Sequence, residues 1–198
     1  MAYPSPIRVL ESELRDWVNE PPRRDTLARD PHRWGKLCSA MDLLGDTQLA
    51  IEAFLDVHPD VEVEDTDGDR YLVAYGALQA MFLQQDALCH IHEAFEIDFQ
   101  LGETLTRIRE IRNDSIGHPS NRKDGRTFHF IVRVSLSRQG FDLISRDATG
   151  ESSLESVNLI QLTTQQQDAI TAALSQLLST LRRTHAQTMS GHGEQPGR

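Results

Sequence analysis

The stretch YLVAYGALQAMFLQQDALCHIHEAFE, residues 71–96, restricts the fold more than any other part of the chain. It holds no proline and one glycine, and apolar residues take up most of its circumference at helical spacing. A helix of that kind has to be covered on several sides, as the central helix of a bundle is. The spacing predicts it over roughly 69–98. Ser5-Pro6 followed by IRVLESELRDWVNE predicts an earlier helix over roughly 6–20, with Ser5 as its cap, and PPRRD as its stop. A second runs over roughly 31–57, with Trp34, Leu37, Met41, Leu44, Leu49 and Ala53 apolar and a break or bend at Gly45–Asp46. A fourth covers roughly 102–117, closed by Gly117 and Pro119. Helices of this size joined by short loops imply an antiparallel bundle.

The acidic run HPDVEVEDTDGD precedes the central helix. Its Asp65-x-Asp67-Gly68-Asp69 opens like a calcium loop, but Arg70 then stands where such a loop needs glycine, and Gly76 where it needs a bidentate glutamate. The reading is therefore a solvated loop and a helix cap. After residue 125 the period changes. RTFHFIVRVSL, GFDLISRD and SLESVNLIQL alternate between turn residues and read as a small antiparallel meander. A last helix follows, capped by Thr163 or Thr164 and closed by Arg182-Arg183. The fold class is mainly α: one domain over roughly 1–188 with a β insertion at about 126–162, then a flexible tail.

The 198 residues carry a net charge of −10. That argues against an extended electrostatic grip on nucleic acid and leaves only a local one. Of the 20 basic residues only Lys36 and Lys123 are lysines, and arginine suits bidentate recognition of phosphate. Two thiols far apart, Cys38 and Cys89, no membrane-length apolar run and no signal-like N-terminus predict a cytoplasmic protein without membrane contact.

On a helical wheel with Leu101 at zero, Leu105 falls near about 40°, Ile108 near −20°, Ile111 near −80° and Ile116 near 60°. Arg112 falls near about 20°, inside that apolar stripe. A guanidinium there needs either a structural ion pair, with Asp86 or Glu93 of the central helix as candidates, or an anion brought from outside. Asn113 follows directly, and His118 stands at the end of the helix, where the negative dipole end favours its protonated form. Residues 105–126 carry six Lys/Arg, namely Arg107, Arg109, Arg112, Arg122, Lys123 and Arg126, against Glu110, Asp114 and Asp124. This net of +3 inside a chain of −10 is a local anion site.

Arg112-Asn113-x4-His118 closing a bundle helix resembles the HEPN superfamily, whose nucleases carry Arg, a polar residue and then His a few residues on. The flanking IRNDSIGHP and the helix YGALQAMFLQQDAL are similar to members of that group, over roughly residues 6–120 and the final helix. The resemblance implies a HEPN-like helical bundle. It also implies an endoribonuclease that needs no metal or other cofactor, works as a homodimer with a composite site, and serves as a toxin or antiviral defence effector. It would act on RNA, with an antitoxin or defence-system partner. The meander is an elaboration which the family pattern does not require, and HPSNRK lacks the tyrosine some relatives carry after the histidine.

The chemistry also follows from the residues. RNA supplies its own 2′-hydroxyl nucleophile, so cleavage to a 2′,3′-cyclic phosphate needs proton transfer and charge stabilisation. His118 would move the proton, Arg112 would hold the phosphorane oxygens, and Asn113 would orient either one. Arg107, Arg109, Arg122 and Lys123 would bind substrate, and Asp86 would brace Arg112. The alternative readings are a catalytically inactive module binding RNA, a nucleotide or a protein through the same cleft, and a structural dimerisation domain with Arg112 ion-paired. Cys89-His90-x-His92-Glu93 has partial metal-ligand spacing and reads as a core thiol beside surface histidines. In Gln84-Gln85-Asp86 either Asp86 braces Arg112 or the three are a solvent edge, and His129 points outward from its strand. No hydrolase elbow, P-loop or dinucleotide fingerprint is present.

Overall fold

Thr66 starts the central helix by a capping box: its hydroxyl accepts from the Asp69 backbone N–H, and the Asp69 carboxylate accepts from the N–H of Thr66. The computed structural model describes residues 5–56, 66–117 and 125–191, with side chains to 187. Asp67–Asp69 thus form a first helical turn, and Asp65 lies outside the described residues. The helices are α1 (Pro6–Asn19), α2 (Pro21–Leu27), α3 (Pro31–Leu55), α4 (Asp67–Ala94), α5 (Glu103–Arg112) and α6 (Leu159–Gly191). Three strands, β1 (Thr127–Ile131), β2 (Gly140–Asp147) and β3 (Ser152–Asn158), form an antiparallel sheet in the order β1-β2-β3. The chain is mainly helical, with the sheet preceding the last helix.

Ser5 caps α1 and the helix stops before Pro21, both as predicted; Pro21–Pro22 then begin the short α2, because proline suits the first turn of a new helix. Three expectations change. α3 runs unbroken through Gly45 and Asp46. Its inward face is Leu37, Met41, Leu44, Gln48 and Ile51, one strict helical stripe, which leaves Leu49 and Ala53 exposed. α6 begins at Leu159, where the Asn158 side chain accepts from the Gln161 N–H. Thr163 and Thr164 instead lie inside that helix and donate to the carbonyls of Leu159 and Ile160.

Two apolar clusters stabilise the fold. One packs α1, α3, α4 and α6 around Leu14, Leu37, Leu44, Leu88, Ile91 and Leu174. The other joins α4 and α5 to the sheet through Leu78, Met81, Ile108, Ile111, Phe141 and Leu143. Between them lies a polar layer. Gln84, Gln85 and Gln166 have no exposed surface and Gln48 has 1%, so Gln84 and Gln85 are not a solvent edge. Arg109 Nε donates to Gln85 (3.1 Å), Gln85 to Gln166 (2.8 Å), Gln166 to Gln84 (3.0 Å) and Gln84 to Gln48 (2.9 Å). Gln48 then donates to Glu52 (3.2 Å) and Gln167 (2.8 Å). A guanidinium can only donate and a carboxylate can only accept. The two ends therefore impose one direction on every amide between them.

The sheet has two unlike faces. Thr127, His129 and Ile131 of β1 share the inner face with Leu143, Ser145 and Asp147 of β2 and with Ser153, Glu155 and Val157 of β3. Leu143 and Val157 seat in the core, while the Thr127 end of that face is polar. The outer face carries Phe128 and Phe130, which are exposed, beside Leu154.

Candidate anion-binding site at the end of α5

Leu105, Ile108 and Ile111 of α5 are buried as the wheel requires, and Arg112 is half-buried among them. The helix does not stop as a simple α-turn. Asn113–Gly117 form a π-helical turn, a wider coil common at functional positions. Its C-terminal Gly117 touches the motif directly. A Cβ there would lie 2.7 Å from Arg112 Nη1 and 3.0 Å from Asn113 Oδ1, so the guanidinium folds over the glycine.

The three arginines of α5 stand in three electrostatic states. Arg107 pairs with Glu110 at 3.2 Å and with both carboxylate oxygens of Glu155 at 2.5 Å, which holds its charge more firmly than usual. Arg109 donates to Asp86 at 2.6 Å and to Gln85 at 3.1 Å. Arg112 donates Nε (3.3 Å) and Nη2 (2.7 Å) to the amide oxygen of Gln79, and Nη1 (3.0 Å) to Asn113. Among the described residues Arg112 has no carboxylate partner. Phe82 lies between these contacts on α4, with the guanidinium carbons of Arg109 and Arg112 each 4.3 Å from its ring centroid.

Asp86 therefore does not brace Arg112. It meets the arginine one turn earlier, because that guanidinium reaches the next turn of α4 toward Asp86 while Arg112 reaches back to Gln79. Glu93 pairs with Lys36 instead. The structure thus brings together Arg112, Asn113 and Gly117, with Arg109 sharing Phe82. Arg107 is held toward β3. His118, Arg122 and Lys123 lie outside the described residues.

A second feature escaped sequence reading. On the opposite flank of α5, Glu110 and Asp114 face the polar end of the sheet across a cleft of about 440 Å³. His129 does not point outward. It lies on the inner face, hydrogen-bonded to Ser145 through Nδ1 at 2.8 Å, with Nε2 3.7 Å from Asp114. The phase of β1 follows from seating Ile131 against the core, which turns Phe128 and Phe130 to the open face. Cross-strand register, which places His129 opposite Ser145, is the signal that could have found this, and it depends on knowing the pairing.

His92 is also buried, not on the surface. Its Nδ1–H donates to the Leu88 carbonyl at 2.8 Å, and its ring stacks on Phe99 at 4.1 Å. Burial pushes its pKa below the ordinary value, and the Leu88 contact opposes that shift. Burial pushes the Cys89 thiol up. Among the described residues no group of three or more His, Cys, Asp or Glu is placed to hold a metal ion, and no helix is long and apolar enough to cross a membrane. In comparisons with known proteins, no family model, no curated protein and no solved structure matches this chain.

Proposed function

We propose that the turn closing α5 is the phosphate-binding centre of a metal-independent endoribonuclease of HEPN type, working as a homodimer. One observation carries this reading. Arg112 is held in place by the amides of Gln79 and Asn113 and by the Phe82 ring, none of which cancels its charge. An arginine kept only for packing would be neutralised on folding, as Arg107 and Arg109 are. A half-buried guanidinium that no carboxylate of the described residues compensates, with its fork fixed by neutral acceptors, is preorganised for an anion, and a phosphate oxygen pair matches its geometry. As charge grows on the phosphorane, that cation stabilises it without having to reorganise. Asn113 fixes the fork through Nη1. His118, one residue beyond the glycine on which the guanidinium rests, is assigned the proton transfer.

The test is incubation of the purified protein with single-stranded RNA in EDTA. The expected result is cleavage to 2′,3′-cyclic phosphate ends, absent with DNA, lost in His118→Ala and strongly reduced in Arg112→Met. RNA binding that needs Arg112 but yields no cleavage would replace the enzyme with a binding module. Cleavage untouched by both substitutions would end the assignment.

A further inference from the structure

We propose that Asp86 is a specificity-determining residue of this site: it neutralises Arg109, a second phosphate ligand that the fold places beside Arg112. The inference rests on the phosphate-binding reading of Arg112. Both guanidinium carbons lie 4.3 Å from the centroid of the one Phe82 ring. They can therefore be no farther apart than twice that distance, which is comparable with the step from one phosphate to the next along a nucleic-acid strand. Arg112 meets only neutral acceptors among the described residues, whereas Arg109 donates its Nη2 to the Asp86 carboxylate at 2.6 Å. Two cations are thus aimed from one aromatic platform, and one is charge-cancelled.

The cancelling contact is not a core element. Arg109 and Asp86 keep 26% and 31% of their side-chain surface exposed. An ion pair so placed contributes little to stability. Arg109 is also held independently, by Gln85 at its Nε and by the Phe82 ring. Removing the charge of Asp86 therefore leaves the guanidinium in position and makes it available. The natural site grips one phosphate per chain. That single grip is the local contact left to a chain whose net charge of −10 disfavours an extended hold on a polyanion.

The experiment measures binding of a short fluorescent 2′-O-methyl oligoribonucleotide, which lacks the nucleophile, as a function of salt. Each phosphate contact to a single strand adds about 0.7 to the slope of log K against log salt. Asp86→Asn should bind more tightly than wild type at low salt, with a slope steeper by about 0.7 for each chain whose Arg109 reaches the strand. Its advantage should then shrink by about 2.6-fold per such contact from 50 to 200 mM salt. Asp86→Asn/Arg109→Met should lose the whole gain and return the slope to the wild-type value. Urea midpoints confirm that each variant is folded. An unchanged slope in Asp86→Asn, or a gain that survives loss of Arg109, overturns the role of Asp86. If Arg112→Met leaves binding and slope untouched in the same titration, the phosphate-binding reading itself fails.

Discussion

Gln166→Met breaks the buried glutamine chain at its middle. The Gln166 amide donates to the Met81 carbonyl and to Gln84, and its oxygen accepts from Gln85. Methionine keeps an unbranched side chain of similar length, so no large cavity forms. The Gln85 amide then has no acceptor for that N–H, and the Gln84 carbonyl has no donor; neither residue has exposed surface. Each orphaned group costs about 1–3 kcal/mol. After the apolar gain of methionine, the net loss is about 2–4 kcal/mol, within a total stability on the order of 5–15 kcal/mol. In urea the midpoint should fall by roughly 1–2 M with an unchanged m-value. Replacing Gln48, Gln84, Gln85 and Gln166 together by methionine removes both partners of the three bonds among them and leaves single partners only at the ends, chiefly at the partly exposed Arg109 and Glu52. That variant should be more stable than Gln166→Met alone, despite three further substitutions. If the single variant melts like wild type, or the fourfold variant loses the sum of the single losses, the amides do not act as one chain.

Gln79→Glu should place a carboxylate against Arg112 and reproduce the neutralised state of Arg109; RNA affinity should fall to that of Arg112→Met while the unfolding free energy in urea holds within about 1 kcal/mol. Gly117→Ala should push the Arg112 guanidinium off Gln79 and Asn113, since the long side chain yields before the backbone; RNA binding should drop with stability changed by about 1 kcal/mol or less, checked by the same two assays. His92 titrates lower in the folded chain than in the unfolded one, so the unfolded state binds the extra proton. Stability should be level above about pH 6.5, fall as pH drops from there to the lowered folded value, and lose that part of its slope in His92→Phe.

The parts legible in the sequence are those whose signal lies within one element. α4 announces itself by its own periodicity, and β2 by eight residues between turns. The inward stripe of α5 and the place of Arg112 in it follow from 100° steps alone. What stayed hidden needs a second element. Whether Asp86 meets Arg109 or Arg112 depends on the offset between α4 and α5 by one turn, which neither helix encodes by itself. The inward turn of His129 depends on which residue of β1 seats against the core, and its own alternation fits both phases. Gln48, Gln84, Gln85 and Gln166 look like surface residues until three helices are brought together, because a buried amide is tolerable only when every partner arrives at once.

That division bears on how a cation's role is inferred. Along α5, Arg107, Arg109 and Arg112 are one residue type on one helix, and charge counting treats them alike. Folding separates them. β3 brings Glu155 to the first, the Asp86 turn of α4 reaches the second, and the third meets an amide. Net charge near a motif therefore overstates the grip available, since two of these three positive charges are already satisfied. The useful quantity is the cation without a carboxylate partner, and among the described residues of α5 it falls on the one inside the apolar stripe, where leaving a charge uncompensated costs the most. Among the described residues the fold bears that cost at Arg112 while offering carboxylates to both of its neighbours, which is why the proposed reading gives that charge to a phosphate.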